Sequence, residues 1–197
     1  FAHQEDLVLK GAYKSKGTAS PGLIAAVWAN EIKQQRWPAA EPMILKDPYA
    51  VTYYAKNVVH GRWPEAEQII AKDPDSAVWY AANVIQGRWP AAEPAIAANL
   101  PAALSYIQQV IHGRWPEAEP VIAKNTEALF KYIERYVHER IPEVEQLILT
   151  NPKIMMHYIN NVLKQRWPAA ERVMANTQRP DSPEIKAYVD KYLNGNI

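Results

Sequence analysis

One tripeptide, Arg-Trp-Pro, returns at a fixed interval, and this restricts the chain to a stack of similar units. It begins at Arg36, Arg62, Arg88, Arg114 and Arg166, and Arg140-Ile141-Pro142 fills the one gap, so each step is 26 residues. Five residues after each Arg stands a glutamate: Glu41, Glu67, Glu93, Glu119, Glu145 and Glu171. A unit of this length cannot bury a core alone and must lend its apolar face to its neighbours. Residues 1–35 read as a degenerate N-terminal capping unit, with Trp28 standing eight before Arg36 as Tyr54 stands eight before Arg62. Residues 36–165 read as five 26-residue repeats, and 166–197 as a C-terminal capping repeat with a short insertion around Pro180 to Pro183.

Within a unit the punctuation predicts two helices. Proline two residues after the Arg suits a first helical turn, and Glu65 and Glu67 favour its positive end, so a helix of about eight residues is expected there. Asp47-Pro48, Asp73-Pro74 and Asn151-Pro152 restart the chain with an N-cap and a proline at the first position of a longer helix. Gly61, Gly87 and Gly113, each just before an Arg, are expected at the left-handed residue that ends it. On this longer helix Val51, Tyr54, Ala55, Val58 and Val59 follow i, i+3, i+4, i+7, i+8 spacing, and Ala77, Tyr80, Ala81, Val84 and Ile85 repeat it. The expected fold is all-α: an α-solenoid of two-helix repeats, one short and one long helix in each.

Several chemistries are excluded. With 22 Lys plus Arg against 21 Asp plus Glu the chain has no net field to draw in nucleic acid or anionic lipid. It has no cysteine, hence no disulfide framework and no thiolate zinc site. The longest uncharged stretch, Pro94 to Ile111, is interrupted by Pro101 and four polar side chains, so a soluble chain with no membrane partner is expected. His138-Glu139-Arg140-Ile141-Pro142 opens like a zincin helix, but Pro142 stands where the second His is needed. His60, His112 and His138 share one position in successive or alternate units, too far apart to share a metal. No serine lies in G-x-S-x-G and no glycine-rich phosphate loop occurs. These readings predict no enzyme, no metal and no cofactor.

The repeated Arg and Glu are read as a structural ladder of ion pairs, with Glu→Ala leaving an Arg unpaired near the core. The repeated Trp is read as core packing at each joint; base stacking is the alternative, and Ile141 in the fifth copy speaks against it. Opposite the apolar stripe, Tyr53, Trp79, Ser105, Lys131 and His157 vary from unit to unit. Beside them runs a row of amides with one exception, Asn57, Asn83, Gln109, Arg135 and Asn161, able to line a polar groove. Tyr53 and Trp79 are expected to form an outward apolar patch. The candidate partner-binding residues are therefore Tyr53, Trp79, Lys131, Arg135 and His157, on a ridge whose bland alternative is a solvated face. The expected function is a non-enzymatic scaffold that binds another protein. The alternative is a nucleic-acid-binding solenoid using Lys131, Arg135 and His157.

The consensus Gly-Arg-Trp-Pro-Glu-Ala-Glu-Pro-x-Ile-x-Lys-Asp-Pro, nearest in Gly61 to Pro74, resembles a tandem repeat of tailed-bacteriophage and phage-related bacterial proteins. The resemblance covers Arg36 to Asn176 and implies a helical array of viral or bacterial origin, with a virion or host-cytoplasm location. The chain opens on Phe1 rather than Met, which points to processing or an incomplete amino end.

Overall fold

A computed structural model describes residues 2–13, 18–176 and 182–193. Every regular element among them is helical. The chain divides into two compact units, 1–111 and 112–197. The insertion around Pro180 lies largely outside the described residues.

The first unit holds α1 (Ala2–Leu9), α2 (Pro21–Trp28), α3 (Glu41–Ile44), α4 (Pro48–Tyr54), α5 (Pro64–Ile70), α6 (Pro74–Tyr80), α7 (Glu93–Ala97) and α8 (Leu100–Tyr106). Within it α2 packs on α3 and α4, α4 on α5 and α6, and α6 on α7 and α8. The second holds α9 (Glu119–Ile122), α10 (Thr126–Tyr136), α11 (Pro142–Ile148), α12 (Pro152–Tyr158), α13 (Pro168–Ala175) and α14 (Pro183–Tyr192). There α10 packs on α9 and α12, and α12 on α11 and α14. This is the all-α, solenoid-like alternation of short and long helices that the repeat requires.

The long helices start as the sequence predicts. Asp73 accepts a hydrogen bond from the Ser76 N–H at 2.9 Å, Asn99 from Ala102 at 3.1 Å and Asn151 from Ile154 at 3.1 Å. Their ends differ from expectation. α2, α4, α6, α8 and α12 each run on into a five-residue π turn: Ala29–Lys33, Ala55–Val59, Ala81–Ile85, Ile107–Ile111 and Ile159–Leu163. The left-handed residue that closes them is Gln34, His60, Gln86, His112 or Lys164, at φ 52 to 59°. Gly61, Gly87 and Gly113 follow it and are not left-handed. The N–H groups of the left-handed residue and of the glycine after it both reach one carbonyl, as His60 and Gly61 reach that of Ala55, so the reversal falls one residue before the glycine.

The short helices also vary, and proline decides how. Where Pro42, Pro94 or Pro120 stands six residues after the Arg, the first turn is not α-helical, and α3, α7 and α9 begin only at the glutamate before that proline. Where Gln68, Gln146 or Arg172 stands there, α5, α11 and α13 are continuous from the first proline. A proline at that place has no N–H for the carbonyl four residues back and its ring crowds it.

Candidate functional site

The repeated polar residues form one constellation, built six times. Tyr54, Tyr80, Tyr106, Tyr132, Tyr158 and Tyr188 are buried at the same place on successive long helices. Each hydroxyl accepts a hydrogen bond from the backbone N–H of Trp37, Trp63, Trp89, Trp115, Ile141 or Trp167, at 2.6 to 3.0 Å. Each donates to the glutamate of the same repeat, as Tyr80 does to Glu67 Oε1 at 3.1 Å and Tyr188 to Glu171 Oε1 at 2.7 Å. The glutamate in turn accepts from the Arg five residues before it, with both oxygens held in five of six copies; Arg62 Nε and one terminal nitrogen lie 2.7 Å from Glu67. The Arg, Glu, Tyr and backbone N–H thus close one chain of bonds across each repeat.

The Arg–Glu ladder is present within repeats, but its burial is the reverse of the expectation. Glu67 keeps 15% of its side-chain surface and Arg62 keeps 56%, and most other rungs follow. Losing the Glu leaves an Arg in water; losing the Arg leaves a shielded carboxylate. The guanidinium hydrogen bonds hold Glu67, Glu93 and Glu171 below the usual carboxylate range. Burial pushes the Tyr80, Tyr106, Tyr158 and Tyr188 phenols up to about 12. The repeated Trp37, Trp63, Trp89, Trp115 and Trp167 are buried, and Trp63 meets the Tyr54 ring at 5.1 Å and Trp89 the Tyr80 ring at 5.1 Å. The tyrosine hydroxyls were missed by a reading of the apolar stripe. The available signal was that six of the seven aromatics at one position are Tyr, in a chain with only 2 Phe.

The variable ridge is more engaged than expected. Tyr53 and Trp79 are half-buried and form no exposed apolar patch. The Asn30 amide lies 3.3 Å from Tyr53 Oη, and Lys56 Nζ sits 5.0 Å over the Trp79 ring while donating to Asn83 Oδ1 at 3.0 Å. Lys131 is exposed and paired with Glu127 at 2.6 Å; Arg135 is exposed and lies over Tyr136; His157 is half-buried with its ring 4.7 Å from Phe130. The amide row does not line an open groove in full: Asn57, Asn83 and Asn161 donate to the carbonyls of Tyr53, Trp79 and His157, four residues back and two residues before the π turn begins. His60 and His112 are left-handed, whereas His138 is not, because α10 ends without a π turn and Val137 is extended. Among the described residues no three His, Asp or Glu side chains converge as metal ligands.

A different feature stands out in the first unit. Tyr13, Leu23, Ile24, Val27, Trp28 and Ile32 line an open groove of about 330 Å³ together with Ala19 and one charged residue, Glu31. Val27 is 37% exposed and Ile32 50%, so this apolar surface is in contact with water. It arises because α2, held by Ser20 as N-cap, carries no polar side chain in eight residues. One face, Gly22, Ala25, Ala26 and Ala29, is buried against α3 and α4. Gly22 is required there, since a Cβ would lie 2.9 Å from the Met43 carbonyl oxygen. The opposite face is only partly covered by α1. A smaller polar cleft of about 270 Å³, lined by Asn30, Gln34, Gln35, Asn57, Val58 and His60, opens nearby. No helix among the described residues is long and apolar enough to cross a membrane. Comparison of the chain with protein-family models, with curated proteins and with solved structures finds no match to any of them.

Proposed function

We propose that this protein is a non-enzymatic scaffold of helical repeats that binds another protein, and that the α2 groove is its principal contact. The exposed apolar lining of that groove carries the reading. The repeated polar groups are turned on one another, and the ridge of Tyr53, Trp79 and His157 is half-covered by neighbours, so the α2 face is the surface with most to gain from a partner. A groove whose lining among the described residues is apolar apart from Glu31 suits an apolar protein surface better than a phosphate backbone. The bacteriophage-type origin implied by the consensus belongs to the same proposal, with the partner a component of a particle or of its host.

The test is capture from cells that make the protein, using wild type and a Val27→Glu, Ile32→Glu double variant. Both substitutions are at exposed positions, so the melting temperature should hold. A protein retained by wild type and lost by the variant supports the reading. Recovery of the same protein by the variant, or retention of DNA or RNA that falls steeply with salt, overturns it.

A further inference from the structure

The register of the repeat specifies what an occupant of the α2 groove must carry. On each long helix, count back from the following Arg. In three layers the residue six before the Arg reaches one or both of the residues at the places nine and five before the Arg in the next. Asn30 reaches Tyr53, and Lys56 reaches both Trp79 and Asn83. In the second unit Asn160 makes the corresponding contact, accepting from Lys191 at 3.0 Å. Lys191 stands three after Tyr188, as Asn83 stands three after Tyr80. The polar member of each pair finds its complement: a lysine meets an amide oxygen in the first unit and an amide oxygen meets a lysine in the second.

In the first layer the two receiving positions are Val27 and Glu31, and both line the groove. Glu31 is exposed, and its hydrogen bond is with its own neighbour, from the Asn30 amide at 2.6 Å. Resting on the proposed function, we infer that the groove binds an amphipathic helix of another protein, laid against α2 as a preceding layer would be. Its apolar stripe covers Leu23, Ile24, Val27 and Trp28, and a Lys or Arg on that helix crosses Val27 to pair with the Glu31 carboxylate. Such a helix buries the apolar face as α2 itself buries that of α4, and the carboxylate selects for a cation at one position.

The probe is a lactam-constrained peptide with the sequence of residues 46–62, its helicity verified by circular dichroism, which carries Lys56 at the six-before position. A second peptide replaces that lysine by glutamate. Fluorescence anisotropy with the full chain should show saturable binding of the first peptide and at least threefold weaker binding of the second. Glu31→Lys should reverse the order of the two peptides. Absence of saturable binding up to the solubility limit of the first peptide overturns the inference. So does binding that Val27→Glu abolishes but Glu31→Lys leaves unranked, although the groove then remains a protein-binding site and the proposed function survives. A dimer in sedimentation velocity that Val27→Glu dissolves also overturns it, by showing the occupant to be a second copy.

Discussion

The first and last long helices, α2 and α14, are made to the same repeat and finish differently. In α14, Ile185 and Tyr188 are buried, while Glu184, Lys186, Asp190 and Lys191 are exposed. One side of α14 is therefore buried and the other is polar. In α2 no such face exists: one side buries small residues and the other presents Val27 and, beyond it on the π turn, Ile32. A helix apolar all round is normally covered on all sides. The two helices thus share an interior and not an exterior, and a partner site is expected where the interior is carried through to the surface.

The largest effect should come from testing the shared interior. Trp37 opens the short segment of the first 26-residue repeat and Trp167 that of the C-terminal repeat, and each is 4% exposed. Trp37→Ala and Trp167→Ala should each cost about 3–5 kcal/mol, read by urea unfolding. If one is costly and the other within about 0.5 kcal/mol of wild type, the two ends do not share one interior and the comparison fails.

A smaller loss is expected at the tyrosines. Tyr54→Phe and Tyr188→Phe remove the acceptor from the buried Trp37 and Trp167 N–H groups, which should cost about 1–3 kcal/mol each. The same rung sets a pH window. Tyr188 has a folded pKa raised to about 12, so its contribution is complete below the ~10 of an unfolded phenol and is lost as pH rises through about 12. Glu171 has a lowered folded pKa, so its contribution is present above the ordinary carboxylate range and is lost as pH falls through the folded value. Melting temperature should therefore drop at both extremes, and Tyr188→Phe should lessen the alkaline drop. An alkaline limb unchanged in that variant would show that the rung does not control it.

How much of this is visible in the sequence follows from how local each feature is. The repeat, the N-caps Asp73 and Asn151 and the buried positions of Tyr54 and Tyr80 are fixed by spacing and by side chains acting on their own neighbours. The pairing of Arg62 with Glu67 could be read from their interval, but which of the two is shielded could not, since that depends on the tyrosine that reaches the glutamate from 13 residues away. Pro42 and Pro94 were on view as breakers of the short helix, and the effect was local. The π turn was not legible: it is a choice of carbonyl, stabilised by Asn57 or Asn83 bonding back to the helix, and those amides read equally well as groove lining. Trp79 looked outward because helical geometry points it away from its own core, and only the preceding layer shows Lys56 lying across it.

The smallest effect concerns how the end helices stop. The helix that begins at α2 closes at Gln34, with φ 52° and ψ 34°, a conformation that costs a residue with a Cβ about 1 kcal/mol. α14 closes at Leu193 with φ −120°, outside that region. Glycine is therefore worth something at one end only. Gln34→Gly relieves the left-handed strain, part of which is returned by the greater freedom of glycine in the unfolded chain, leaving a gain of up to about 0.5–1 kcal/mol. Leu193→Gly has no strain to relieve and adds only unfolded-state freedom and lost apolar contact, so it should lower stability by a similar amount. Urea midpoints at constant slope resolve changes of this size. The opposite signs are the prediction, and a loss at Gln34 would mean that its side chain supports the π turn by more than the backbone strain it carries.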